Sequence, residues 1–312
     1  MTKRTLFIII GLLVFLDVAA LLIYLVSNSN RDGKSPLELT FDEERIVLPA
    51  DTIPSIVNED RFDTIERKIT YVSSDKIMVD GQSKGMLSSI RVKMAWPASI
   101  NKSSSLTDLE HALIKKLLGV STEVTNMQEC VERLISTPRF VKPSTHYVAG
   151  QYSEPTGAPH HSYYNYRVFP MVGTASLLEM MVMIDSFDGT ASHSEIKVVH
   201  YDRMHNKVLT INNIFNLSRS NDILALVNQG IEHLKTIKKN KTIHEIGFLP
   251  DEFLLGSKSV IFFMRDGLIA NPGTGLYEVY VPNDDLISYF TEYYQELYNN
   301  DTQFKKYGFL PL

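Results

Sequence analysis

Apolar and polar positions along this chain fall into three patterns. From Thr5 to Val26 the residues are almost continuously apolar, with Asp17 the single charge. As a helix this run spans about 33 Å, the hydrocarbon thickness of a bilayer. Further on, Leu106, Leu109, Leu113 and Leu117 recur at helical spacing behind a Thr107-x-x-Glu110 capping pattern. A second stripe, Met127 to Ile135, follows Thr125-x-x-Gln128, and a third helix is predicted from Asp222 to Ile237 with Ile223, Val227, Ile231 and Leu234 on one face. Between these lie short runs rich in aromatic and branched residues: Tyr163 to Phe169, Leu177 to Ile184, Glu195 to Tyr201, Ser259 to Met264 and Leu276 to Val281. These read as strands separated by turn residues such as Gly173 and Asp188-Gly189. In the last of them Leu276, Glu278 and Tyr280 face one way and Tyr277, Val279 and Val281 the other; a helix capped by Asn283 then carries Leu286, Phe290, Tyr293 and Leu297. Strands and helices without regular βαβ alternation predict an α+β fold, a mostly antiparallel sheet packed with amphipathic helices and preceded by a single transmembrane helix.

The first run sets the expected topology. An acid at mid-membrane costs about 3 kcal/mol, whereas each Leu, Ile, Val or Phe returns about 0.3 to 0.6, so the sixteen of them in this run outweigh Asp17. The run is about twice the length of a signal-peptide core, which favours a retained anchor over a cleaved leader. Lys3 and Arg4 favour a cytoplasmic tip at residues 1–4, leaving the rest of the chain outside the cytoplasmic membrane, in the periplasm or at the cell surface. Residues 27–64, with Pro36, Pro49 and Pro54 and the acids Asp42, Glu43 and Glu44, read as a stalk. Two modules follow in this reading, 65–185 and 186–312.

Composition narrows the classes. The 312 residues are 44% hydrophobic and 21% charged, ordinary for a globular protein with a real core. A net charge of -5 without a long Lys/Arg run leaves no footprint for nucleic acid. The single cysteine, Cys130, excludes an internal disulfide; a reactive or intermolecularly paired thiol is the sharper reading, but its place among Met127, Val131, Leu134 and Ile135 favours a small buried residue on a helix face.

No catalytic signature emerges. There is no Gly-x-Ser-x-Gly elbow and no P-loop, and His244-Glu245 starts like a zincin helix but has Phe248 where the second histidine belongs. His160-His161, with His146, His193, His200 and His205, lack the spaced cysteine or carboxylate partners of a zinc site, and adjacent histidines on a strand point to opposite faces. Neither a metal nor another cofactor is expected. The aromatic cluster from His160 to Phe169 is the segment expected to meet a ligand, through His160, His161, Tyr163, Tyr164 and Tyr166, because tyrosine offers a flat apolar face with a polar tip. The plainer alternative is a strand with Tyr163, Asn165 and Arg167 toward water and Tyr164, Tyr166 and Val168 inside. Asp284-Asp285 is most simply a helix N-terminus, and Gly273-x-Gly275 a turn.

Three ordered segments carry a family likeness: FDGTASHSEIKVVHYD (Phe187 to Asp202), NKVLTINNIF (Asn206 to Phe215) and EFLLGSKSVIFFMRDGLIANPGTGLYEVYVPNDDL (Glu252 to Leu286). Their order resembles an extracytoplasmic module of unknown biochemical function found in RsiV-type lysozyme-sensing anti-sigma factors and ahead of the catalytic domain in some peptidoglycan deacetylases. The resemblance departs at Arg265 to Ala270, where family members carry a Pro-Tyr-Glu-Ile-Ala loop. It implies an envelope binding or sensing module without an attached cytoplasmic output or deacetylase domain, whose partner is an extracytoplasmic protein or cell-wall glycan. The rival expectations are a glycan-acting enzyme with unrecognised carboxylates and a structural subunit of a membrane complex, for which Asp17 would be the telling residue.

Overall fold

The computed structural model describes residues 60–301, apart from 80–81, 102, 104, 137, 139–159, 189–190, 257 and 272–274. The expected membrane helix from Thr5 to Val26 and the stalk up to residue 59 lie outside the described residues. Among the described residues no helix is long and apolar enough to cross a membrane.

The fold is α+β. Six strands, β1 (Arg61–Val79), β2 (Gln82–Ser99), β3 (His160–Gly173), β4 (Leu177–Phe187), β5 (Ser192–Asp202) and β6 (Lys207–Leu209), form one sheet in sequence order. All neighbours are antiparallel except β2 and β3. That parallel step needs a crossover, which helices α1 (Thr107–Leu118) and α2 (Met127–Ile135) supply. Strand β1 begins at Arg61, inside the stretch read as stalk. Antiparallel pairing of β4 with β5 carries the sheet across residue 186.

One face of this sheet is sealed by α1 and α2. Ile90, Val92, Met94 and Trp96 of β2, Tyr166 and Val168 of β3, and Leu178, Met180 and Val182 of β4 pack with Leu109, Leu113, Leu117, Cys130, Val131 and Leu134 in a single core. The period-2 placement of these residues is what turns them to one side. A second core belongs to the C-terminal part. There β7 (Phe253–Leu255), β8 (Ser259–Met264) and β9 (Tyr277–Pro282) form a three-stranded sheet in that order. The long helix α4 (Ser220–Lys238), after the single turn α3 (Ile211–Ile214), buries Ile223, Val227 and Ile231 against it.

Helix boundaries correct four sequence expectations. Leu106, not Thr107, precedes the first turn of α1 and makes no side-chain cap; Glu110 instead accepts from Trp96 Nε1 at 3.0 Å. Helix α2 is capped by Asn126, whose side chain accepts from Glu129 N at 2.9 Å, one residue beyond the expected Thr125. Asn283 lies inside α5 (Asn283–Leu286) and turns its amide into the core to donate to Gly256 O. The single last helix expected from there is broken at Phe290, which bridges to Phe215, and Thr291 caps a new helix, α6 (Glu292–Asn300).

Candidate functional site

Strand alternation gives the six-stranded sheet a second face, opposite α1 and α2, that is exposed on β1 and β2 and buried on β4 and β5 at Met181, Met183, Ile196 and Val198. Toward it β1 presents Glu66, Lys68 and Thr70, β2 presents Ser89, Arg91 and Lys93, and β3 presents His161, Tyr163, Asn165 and Arg167, paired residue by residue across the strands. On β1 and β2 the charged residues of this face are exposed, and on β3 they are half-buried. An aromatic row crosses the middle: the rings of His161 and Tyr163 are 6.2 Å apart, and Tyr163 lies 5.9 Å from Phe187 of β4. Hydrogen-bonding side chains flank the row. His161 Nε2 is 3.1 Å from Ser89 Oγ, Arg91 donates to Glu66 Oε1 at 2.7 Å, and Arg167 donates to Asp185 Oδ2 at 2.6 Å while Ser194 donates to its other oxygen at 2.8 Å. The Arg91 guanidinium holds the Glu66 carboxyl below its ordinary value.

The residues expected to touch a ligand are thus divided by the sheet. His161 and Tyr163 join the aromatic row, whereas Tyr166 is buried in the helix-covered core with Tyr164 packed at its margin. His160 opens β3. Arg167, expected in water, is half-buried by its ion pair. Nor do Tyr163 to Tyr166 share a core with the loop from Arg265: Ile269 and Ala270 of that loop are buried in the C-terminal core.

A seam of buried polar groups, which the sequence reading missed, joins the sheet to the C-terminal part. Glu179 of β4 and His200 of β5 are direct cross-strand partners, 0% and 5% exposed, with His200 Nδ1 2.7 Å from Glu179 Oε1. Leu255 N of β7 donates to the same oxygen at 2.9 Å, and the Phe253 ring stacks on the imidazole at 4.7 Å. Burial pushes the Glu179 carboxyl up despite these hydrogen bonds. Glu179 Oε2 and His200 Nε2 have no hydrogen-bond partner among the described residues. Two residues on, Asp202 accepts from the N–H groups of Met204 and His205, from His205 Nδ1 at 2.7 Å and from the Tyr293 hydroxyl of α6. Burial alone would push Asp202 up, but these donors together hold it below its ordinary value. Arg203 completes the run, donating to Asp60 Oδ1 at 2.7 Å, Asn101 Oδ1 at 2.8 Å and Thr174 O at 2.6 Å. The His200-Tyr201-Asp202 ending was visible in sequence as a family-like motif, but its partners lie 21 and 91 residues away.

At Glu179 and His200 the seam is closed to solvent. A substrate cannot reach a carboxylate and an imidazole this deeply buried, so Glu179 and His200 act as a structural clasp rather than an acid–base pair. An open groove of about 530 Å³ beside Tyr293 is lined by Asn212, Asn216, Leu217, Phe290, Thr291 and Glu292. Its Asn216 and Thr291 side chains already cap the backbone at Ser218 and Tyr294. Among the described residues no three His, Cys, Asp or Glu side chains converge as metal ligands.

No protein-family model matches the chain, and no curated protein does. Among solved structures it is similar to a member of the DUF3298 family from Bacteroides fragilis NCTC 9343, with a TM-score of 0.56 and 14% identity over 76% of this chain and 97% of that one. It is also similar to a DUF3298 family protein from Pseudomonas aeruginosa PAO1, with a TM-score of 0.48 and 14% identity over the same shares. The likeness to the first is one of fold, shared with a domain of unknown function.

Proposed function

We propose that this protein is an RsiV-type binding module of the cell envelope, tethered by the helix from Thr5 to Val26, that docks cell-wall glycan on the aromatic face of its six-stranded sheet. The observation carrying this reading is the row His161, Tyr163 and Phe187 beside Arg91, Lys93 and Lys68, on the face opposite the one sealed by α1 and α2. Sugar rings stack on flat aromatic faces, their hydroxyls pair with Asn165, Ser89 and guanidinium groups, and the carboxylates of a wall polymer match lysines in an otherwise acidic chain. The order of the His200-Tyr201-Asp202 motif and its neighbours supports the RsiV-type kinship. The apolar run supports export of everything after residue 26.

The test is retention of the full-length chain, in mild detergent, on isolated insoluble peptidoglycan. Tyr163→Ala and Arg91→Ala are each expected to lower retention about tenfold, the loss of one stacking or charged contact worth roughly 1 to 2 kcal/mol. Equal retention of both variants would overturn the glycan reading; capture of an envelope protein instead, lost in the same variants, would keep the face and replace the ligand. Export is checked by protease treatment of intact cells, where loss of a C-terminal epitope is expected and its protection would refute the topology.

A further inference from the structure

Strand β1 is the edge of the six-stranded sheet, a 19-residue strand paired only with β2 among the described strands. Edges of this length present a row of unsatisfied backbone groups and are ordinarily guarded by charge. Here three guarding charges, Glu66, Arg67 and Lys68, sit together between Phe62-Asp63-Thr64-Ile65 and Ile69-Thr70-Tyr71-Val72, flanks whose one other charge is Asp63. Val72 is 70% exposed, and Ile65 and Ile69 are only half-covered.

We propose that a second copy of this chain docks antiparallel on β1, with the two-fold axis through Arg67, to make one continuous twelve-stranded sheet from two six-stranded halves. The sequence is self-complementary about that residue and about no neighbouring one. Centred on Arg67, Glu66 of each copy faces Lys68 of the other, Ile65 faces Ile69, Thr64 faces Thr70, and Phe62 covers the exposed Val72. Facing residues in an antiparallel pair share a sheet face, so the Ile65–Ile69 pairs extend the helix-covered core and the Glu66–Lys68 pairs lie on the open face. Centring on Glu66 or Lys68 also sets like charges together on the axis but provides no opposite-charge pair beside them, since it opposes Ile65 to Arg67 and Thr64 to Lys68, or Arg67 to Ile69 and Glu66 to Thr70. The Arg67 pair at the axis is the one like-charge contact, set against two opposite-charge pairs. Each Arg67 Nη1 already donates along its own strand to Glu66 O at 3.1 Å. A charged edge that repels other strands therefore accepts its own copy, the isologous arrangement that a closed dimer requires.

The experiment is disulfide trapping in the full-length chain. Arg67→Cys places a cysteine on the axis, where facing Cα atoms of an antiparallel pair are about 4.5 to 5.5 Å apart, within the range a disulfide spans. That variant is expected to form a linked dimer under mild oxidation, whereas the wild-type chain, whose buried Cys130 is its only thiol, and Thr70→Cys, which faces Thr64, are not. Adding K68E or E66K to the Arg67→Cys chain sets acids or lysines opposite each other and is expected to return linkage to the wild-type background; adding both restores it. No linked dimer from Arg67→Cys, or linkage indifferent to the single reversals, would overturn the proposal. A variant that simply failed to fold would not be rescued by the second reversal, so recovery in the double exchange separates pairing from folding.

Discussion

Single buried side chains hold more of this molecule together than their number implies, because charge taken out of water has to be answered on site. Arg203 and Asp60 have side chains 0% and 1% exposed, joined at 2.7 Å. Replacing Arg203 by Met would take the guanidinium away from a carboxylate in the interior, a loss of about 3 to 5 kcal/mol in urea unfolding. Asp202 and Glu179 respond to pH in opposite senses. Asp202 titrates below its unfolded value of 3.8, so its contribution is present above that pH and lost as pH falls through the folded value. Tyr293→Phe removes one donor, costs about 1 kcal/mol at neutral pH, and moves the acid-unfolding midpoint upward. Glu179 titrates above 4.5, so the stability it contributes is complete below that pH and declines as pH rises through the folded value. Glu179→Gln should therefore flatten the pH dependence of stability on the side above 4.5, and an unchanged slope there would refute the assignment. Cys130 is buried, and loss of hydration pushes its thiol up to about 12. Its alkylation at neutral pH should proceed at the rate of global unfolding and no faster.

At the scale of elements, packing decides where propensity would mislead. Gly230 lies in the middle of α4, where Ala is ordinarily better by about 1 kcal/mol. A Cβ there would stand 2.6 Å from Val279 Cγ1 and 3.2 Å from the Tyr280 carbonyl of β9. Val279 is 1% exposed and has no room to retreat, so Gly230→Ala should destabilise by about 1 to 3 kcal/mol net, measured by thermal unfolding. Asn126→Ala, which removes the α2 cap, should cost about 1 kcal/mol. What sequence could and could not predict follows the same division. The apolar stripe of Ile223, Val227 and Ile231 and the alternation of β9 were legible because each depends on one element meeting one core. Glu110 fitted a capping box and was instead claimed by Trp96, a residue 14 positions earlier on another element. The last helix had an unbroken apolar period, yet the bridge between Phe290 and Phe215 splits it, because Phe215 stacks on Phe290 at 5.3 Å in a core that no local pattern describes. The seam was invisible for the same reason: Arg203 and Asp60 are 143 residues apart. His161 and Tyr163 were singled out as aromatic, but only the register of β2, β3 and β4 shows which side of the sheet they share with Arg91 and Phe187.

For the molecule as a whole, β5 is the strand on which the two cores depend together. Its Val199 and Tyr201 complete the core under α1 and α2. Its His200, on the opposite side, stacks on Phe253 of the C-terminal core, and Val198 N donates to Glu252, whose other oxygen takes Lys116 of α1 at 2.5 Å. Neither core is therefore complete without residues from both halves of the chain. A chain ending after Ser186 would lose β5 and β6 and expose Leu178, Met180 and Val182 along a new sheet edge, a face that water does not tolerate. Such a fragment should be insoluble or unfolded, and one beginning at Phe187 should lack the strand neighbours that hold β5 in place. In the intact chain, tryptophan fluorescence, which reports on Trp96 in the first core, and near-ultraviolet dichroism in the phenylalanine band, to which the packed Phe215, Phe253, Phe262 and Phe290 of the second contribute, should lose their native signals at the same urea concentration. Two separated midpoints, or a folded fragment ending at Ser186, would mean that β5 is shared in position but not in energy, and that the modules carry their stability separately.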